Sequence, residues 1–141
     1  MSKLTVHGAK ISSAATSKSD IVVVPLFTGE DLSASASEVN TATGEVLQRA
    51  ISIGDADATL GKITTMVGSG NIARIMSVGC GDRSKFNLEA QLTVTSAMSR
   101  ALAASKAKNA IVLADSIATD KNTLTQFLEF LGRDVAMACY H

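Results

Sequence analysis

The stretch DIVVVPLF, residues 20–27, constrains the fold more than any other part of the chain. Ile21, Val22, Val23 and Val24 form an unbroken β-branched run. A strand that faces water on one side alternates apolar and polar residues; this one does not alternate. Both of its faces need cover, which places it at the centre of a sheet with other layers on either side. Pro25 has no N–H to give to a ladder and is expected to end the strand.

The remaining elements fall around that strand. Leu4 and Val6 alternate with polar residues in KLTVHG, a short strand, and residues 12–19 read as a polar connection. Ser35-Ala36-Ser37-Glu38 has the form of a capping box. After it Val39, Ala42, Val46, Leu47, Ala50 and Ile51 recur at helical spacing, so the pattern predicts one helix stopped near Gly54. Two β-rich runs, residues 62–67 and 72–78, flank GSGN, which reads as a hairpin turn. A second helix is expected from about Asn87 to Lys106, and a further apolar strand from Asn109. Leu124, Phe127, Leu128, Leu131, Val135 and Ala138 make the apolar stripe of a last helix, about residues 123–141. The order β-β-α-β-β-α-β-α is that of an α/β domain, a mixed β-sheet flanked by helices, and residues 1–141 form a single domain. The last helix reaches His141 while still apolar and aromatic, without a stop signal, and is expected to lead into further chain.

The chain's 141 residues include thirteen basic and thirteen acidic ones, so no net field draws it to nucleic acid or to an anionic membrane surface. Cys80 and Cys139 are too few for a disulfide framework, and a reducing compartment is the simpler expectation. No apolar stretch approaches the roughly 20 residues that span a bilayer, and the first residues lack a signal-peptide pattern. A soluble cytoplasmic domain is expected.

The candidate chemistry centres on Gly79-Cys80-Gly81, which follows a predicted strand and precedes a predicted helix. Backbone N–H groups at such a turn can hold a phosphate. The dinucleotide fingerprint also asks for a small residue three positions on, where Ser84 stands behind Asp82 and Arg83. Its acidic ribose partner, about 20 residues later, would fall inside a helix and not at a strand end. Asp82 would repel a phosphate, so the turn reads as a structural corner. Gly68-Ser69-Gly70 leads into a strand and offers no helix dipole. Cys80 beside Arg83 would have a lowered pKa if it sat at an open helix start; as a small buried residue it would be inert. His7 and His141 stand at opposite ends, and Asp55 with Asp57 reads as a solvated loop. These residues assign no catalytic, cofactor-binding or metal-binding position.

Four segments taken in order carry a resemblance. They are DIVVVPLFTGEDLS (20–33), GEVLQRAISIGDADATLGKITTM (44–66), ARIMSVGCGDRSKFN (73–87) and RDVAMACYH (133–141). Together they resemble the amino-terminal domain of the leucyl aminopeptidase (cytosol aminopeptidase) family, from about Asp20 to His141. The resemblance implies a macro-domain-like three-layer sandwich placed before a larger catalytic domain. There two divalent metals, zinc or manganese, would activate water to release amino-terminal residues from peptides. It also implies a cytoplasmic hexamer, with this domain supporting assembly or access. The catalytic segments of that family, such as Asn-Thr-Asp-Ala-Glu-Gly-Arg, have no counterpart here, so no site residue carries over. Met137 and Tyr140 would then belong to a contact with the chain's own catalytic domain.

Two further functions stand beside this one. ADP-ribose-binding macro domains carry an Asn-rich segment and a Gly-rich phosphate loop, where this chain has Pro25-Leu26-Phe27 and Gly79-Cys80-Gly81-Asp82-Arg83. Some bacterial members of the family bind DNA partly through this domain; here the basic candidates are sparse, Arg83 with Lys85 and Lys106 with Lys108.

Overall fold

The computed structural model describes residues 5–8, 19–70, 72–105 and 109–113. Its sheet has five strands in the order β1 (Thr5–Gly8), β5 (Asn109–Val112), β2 (Ser19–Leu26), β4 (Ile72–Gly79) and β3 (Ile63–Ser69). The β-branched run therefore lies on the central strand, as its composition requires. β1, β5, β2 and β4 are parallel; β3 closes one edge antiparallel to β4. Ser69 pairs with Ile72, so GSGN makes the expected tight connection, with Gly70 at φ +62°.

Pro25 does not end the strand, and the ladder shows why. The Val23 carbonyl accepts from Leu113 N–H at 3.0 Å, whereas the Leu26 carbonyl accepts from Cys80 N–H at 2.8 Å. Backbone groups alternate sides, so position 25 faces β5. There the pairing stops at Val23 opposite Val112, while pairing with β4 continues to Leu26 opposite Gly79. The missing N–H falls just past the end of one ladder and leaves the other intact.

Two separate apolar cores lie on the two faces of the sheet, as expected of a mixed sheet flanked by helices. On one, Ile21, Val23, Met76 and Val78 meet Val94, Met98 and Leu102 of α3 (Leu88–Ala104). On the other, Val22, Val24 and Ile75 meet Val39 of α1 (Ala34–Ala42) and Leu47 and Ala50 of α2 (Val46–Ser52). Ile21 to Val24 are wholly buried. At about 2 kcal/mol per buried aliphatic side chain, this run is one of the main sources of stability. Asn87 caps α3 by accepting from Ala90 N–H, which matches the expected start.

The single helix predicted across residues 39–51 is two. Gly44 (φ +73°) and Glu45 (φ +62°) both adopt left-handed backbone and break it. Asn40 stabilises the break: its carbonyl accepts from Glu45 N–H at 2.7 Å and its Oδ1 from Gln48 N–H at 2.9 Å. It thereby caps α2, whose own N-cap residue makes no side-chain bond. The expected capping box is also displaced. Ser33 is the N-cap and accepts from Ala36 N–H at 3.2 Å. Ser33→Ala is therefore expected to lower stability by about 1 kcal/mol, a difference that urea unfolding of the two proteins would resolve. Gly54 (φ +82°) follows the end of α2, as expected. The last helix, with Cys139, Met137, Tyr140 and His141, lies outside the described residues.

Candidate functional site

Every N–H of the glycine corner is engaged by the protein itself. Gly79 N–H donates to Lys62 O (2.8 Å), Cys80 N–H to Leu26 O (2.8 Å) and Gly81 N–H to Ala58 O (2.7 Å). Both glycine carbonyls are taken as well: Gly79 O accepts from Gly61 N–H at 2.8 Å, and Gly81 O from Thr28 N–H at 2.9 Å. A phosphate cradle needs free donors, and these are spent on joining three loops. Gly79 is required by contact, since a Cβ there would stand 1.8 Å from Thr59 O.

The corner does not open directly into α3. A 3-10 turn, Arg83–Lys85, comes first, with Asp82 accepting from Ser84 N–H (3.0 Å) and Ser84 Oγ (2.8 Å). Those two bonds hold the Asp82 carboxyl below the usual carboxylate range, which keeps a negative charge beside the turn. Cys80 is buried. Burial pushes its thiol up to about 12, against the weaker opposing pull of a backbone hydrogen bond and of Arg83. The lowering that an open helix start would bring does not occur. Desolvation wins, and Cys80 is a core residue.

Arg83 is committed to structure. Its Nε and Nη2 donate to the two oxygens of Glu30 at 2.8 and 3.0 Å. The guanidinium lies 3.9 Å over the Phe27 ring, which in turn meets Phe86 edge-on at 5.2 Å. This clasp ties the loop after β2 to the loop after β4. It withdraws Arg83 from the basic pair expected with Lys85; Lys106 and Lys108 lie outside the described residues. Sequence spacing could not reveal the clasp, because its charges are 53 residues apart.

The two aspartates of the expected solvated loop behave differently. Asp57 accepts from Thr59 N–H and from Lys62 Nζ, each at 2.8 Å. The Lys62 ammonium, then the Thr59 amide, lower its pKa to about 2. The Asp55 backbone carbonyl accepts from Thr64 Oγ1. Folded Asp57 holds fewer protons than unfolded Asp57 between about pH 4 and pH 2, so its contribution is present above that window and lost as pH falls through it. Asp57→Asn is expected to flatten that part of the acid limb, with the two proteins converging at pH 2; urea unfolding at pH 6, 4 and 2 measures this. His7 lies on β1. Among the described residues no three His, Cys, Asp or Glu side chains group to hold a metal.

A groove of about 620 Å³ opens beside the clasp, at the carboxyl end of β2. Open parallel sheets bind ligands at that end of their strands. Leu26, Phe27, Leu32 and Ile51 line it with apolar surface; Glu30, Asp31, Glu45 and Asp57 bring carboxylates, and Asn40 an amide. Among the described residues that line it there is no Lys, Arg or His. The sequence pattern does not disclose this groove, because two loops and the helix break contribute to it.

A family model described as the cytosol aminopeptidase family, N-terminal domain, matches residues 23–141. Over 93 residues the chain is 36% identical to a probable cytosol aminopeptidase of Burkholderia lata and 34% identical to one of Burkholderia multivorans. Each alignment covers 64% of this chain and 18% of the relative, so the chain spans less than a fifth of the relatives it matches. A mutant of tomato leucine aminopeptidase superposes with a TM-score of 0.71 at 13% identity, over 100% of this chain and 28% of that one. The macrodomain of Mycobacterium tuberculosis DarG gives 0.69 at 11% identity, over 99% of this chain and 93% of that one. At such identities the two structures show a shared macro-domain-like fold and nothing more. No helix among the described residues is long and apolar enough to cross a membrane.

Proposed function

We propose, for a chain that belongs to the cytosol aminopeptidase family through its amino-terminal domain, that it serves as a non-catalytic module beside a metal-dependent peptidase domain. The family match over residues 23–141 carries this reading. The complete polypeptide would be a cytoplasmic two-metal hydrolase, with zinc or manganese, that releases amino-terminal residues from peptides. This domain would support hexamer assembly or access to the active site. The state of its reactive side chains agrees with that role. Asp57 is tied to Lys62, Glu30 to Arg83 and Asp82 to Ser84, while Cys80 is buried with a raised pKa.

Nucleotide binding, which the macrodomain likeness brings to mind, is not favoured by the site. The corner's amides are occupied, and the neighbouring groove presents carboxylates, which repel a diphosphate. DNA binding loses Arg83 to the Glu30 clasp.

An assay with leucine p-nitroanilide in the presence of Mn²⁺ or Zn²⁺ tests the proposal. The 141-residue chain is expected to release no p-nitroaniline. A polypeptide in which it precedes a catalytic domain is expected to do so with metal and to stop on chelation. Turnover by the chain alone would overturn the reading.

A further inference from the structure

We infer that β3 is a pairing edge, through which two copies of the chain join, strand against antiparallel strand, about a two-fold axis at Thr65. The sheet of described strands ends at β1 on one side and at β3 on the other. β1 has four residues, whereas β3 has seven, ITTMVGS. A long edge is ordinarily blunted by a charge, a proline or a bulge. Ile63–Ser69 contains no charged residue and no proline. Its register with β4 is constant from Ile63 opposite Val78 to Ser69 opposite Ile72, so no bulge bends it away. Lys62 O accepts from Gly79 N–H at 2.8 Å, so Lys62, and by alternation Thr64 and Met66, turn their backbone groups to β4. Ile63, Thr65 and Val67 turn theirs outward, and no described strand pairs with them there. Thr65 is exposed, and Val67 is 77% exposed.

The residues of the edge choose its occupant. A two-fold axis at Thr65 sets Ile63 against the second copy's Val67, Thr65 against its own counterpart, and Thr64 against the second copy's Met66. These are apolar and β-branched pairs, of the kinds favoured across strands. Lys62, just before the strand, falls opposite the second copy's Gly68, and its ammonium is already held by Asp57 at 2.8 Å. No like charges face one another along the contact. The edge is therefore complementary to itself, as an isologous two-fold interface requires. Each outward N–H and C=O of Ile63, Thr65 and Val67 gains a backbone partner, and the two sheets become one.

Sedimentation velocity of the 141-residue chain tests this. A reversible dimer is expected, with a Kd of about 100 µM or tighter. Thr65→Lys and Thr65→Glu change an exposed side chain, leave the circular dichroism unaltered, and oppose like charges at the axis. Each is expected to weaken the dimer at least about tenfold, whereas an equimolar mixture of the two is expected to pair again as a heterodimer. Residue-resolved hydrogen exchange supplies a second readout. The amides of Ile63, Thr65 and Val67 are expected to gain protection with concentration, while those of Thr64 and Met66, bonded to β4, are protected throughout. A chain that stays monomeric up to about 1 mM, a dimer indifferent to Thr65→Lys, or a mixture that does not pair would each overturn the inference. So would outward amides equally protected at every concentration. The contact joins copies of this domain alone and involves no hydrolysis, so this inference and the peptidase reading can fail independently.

Discussion

Gly79→Ala is expected to destabilise the chain by more than about 4 kcal/mol, enough to leave a large fraction unfolded at 25 °C. The added methyl would stand 1.8 Å from Thr59 O and 2.6 Å from Thr59 C, backbone atoms that cannot rotate aside. Relief would require moving residues 58–59 away from β4. That movement would strain the bonds from Gly61 to Gly79 and from Gly81 to Ala58. Gly81→Ala is the informative contrast. Its φ is +73°, but the nearest atom to an added Cβ is Leu60 Cβ at 3.6 Å, so the expected loss is confined to backbone strain of about 1–3 kcal/mol. Urea unfolding followed by circular dichroism ranks the variants. Should Gly79→Ala melt within 1 kcal/mol of the parent, the corner would not be the tight joint described above.

Leu47→Ala and Met98→Ala are each expected to cost about 2–5 kcal/mol. Both side chains are wholly buried, one in the core under α2 and the other in the core under α3. Because the sheet separates them and they share no neighbour, their effects are expected to add within about 0.5 kcal/mol, measured by the same unfolding method. Strong coupling would contradict the picture of two cores on one sheet. Val67, on edge strand β3, is 77% exposed, and Val67→Ala is expected to change stability by no more than about 0.5 kcal/mol.

The parts of the fold that sequence revealed are those in which a local pattern had one structural solution. Four β-branched residues in a row could only be a strand buried on both faces, and residues 21–24 are that. The start of α3 was legible because Asn87 is a good cap followed by a long helical pattern. Between α1 and α2 the pattern misled. Val39, Ala42, Val46, Leu47 and Ala50 keep an apolar period across a break that two left-handed residues and the Asn40 side chain create. The capping serine was displaced because Ser33, Ser35 and Ser37 are close together and each is chemically able to cap. Pro25 stayed inside its strand because the consequence of a missing N–H depends on which neighbour it faces, and that is a tertiary fact.

The candidate site divides along the same line. The corner was legible as a corner from Asp82 and Ser84, but the reason that decides it, the full commitment of its amides, comes from residues 26, 58 and 62. The Glu30–Arg83 clasp and the groove join distant segments and left no local signal. Cys80 shows how two rules compete. Its cationic neighbour argues for a lowered pKa, its burial for a raised one, and only the structure reveals which is larger. In a fold shared with macrodomains, the corner at Gly79–Gly81 thus lacks the free amides on which a phosphate loop depends.

Reading the coding sequence past the codon for His141 tests the central claim most directly. The account predicts that the frame continues into a longer domain carrying paired Asp and Glu metal ligands and a segment like Asn-Thr-Asp-Ala-Glu-Gly-Arg. A stop codon directly after His141 would contradict it.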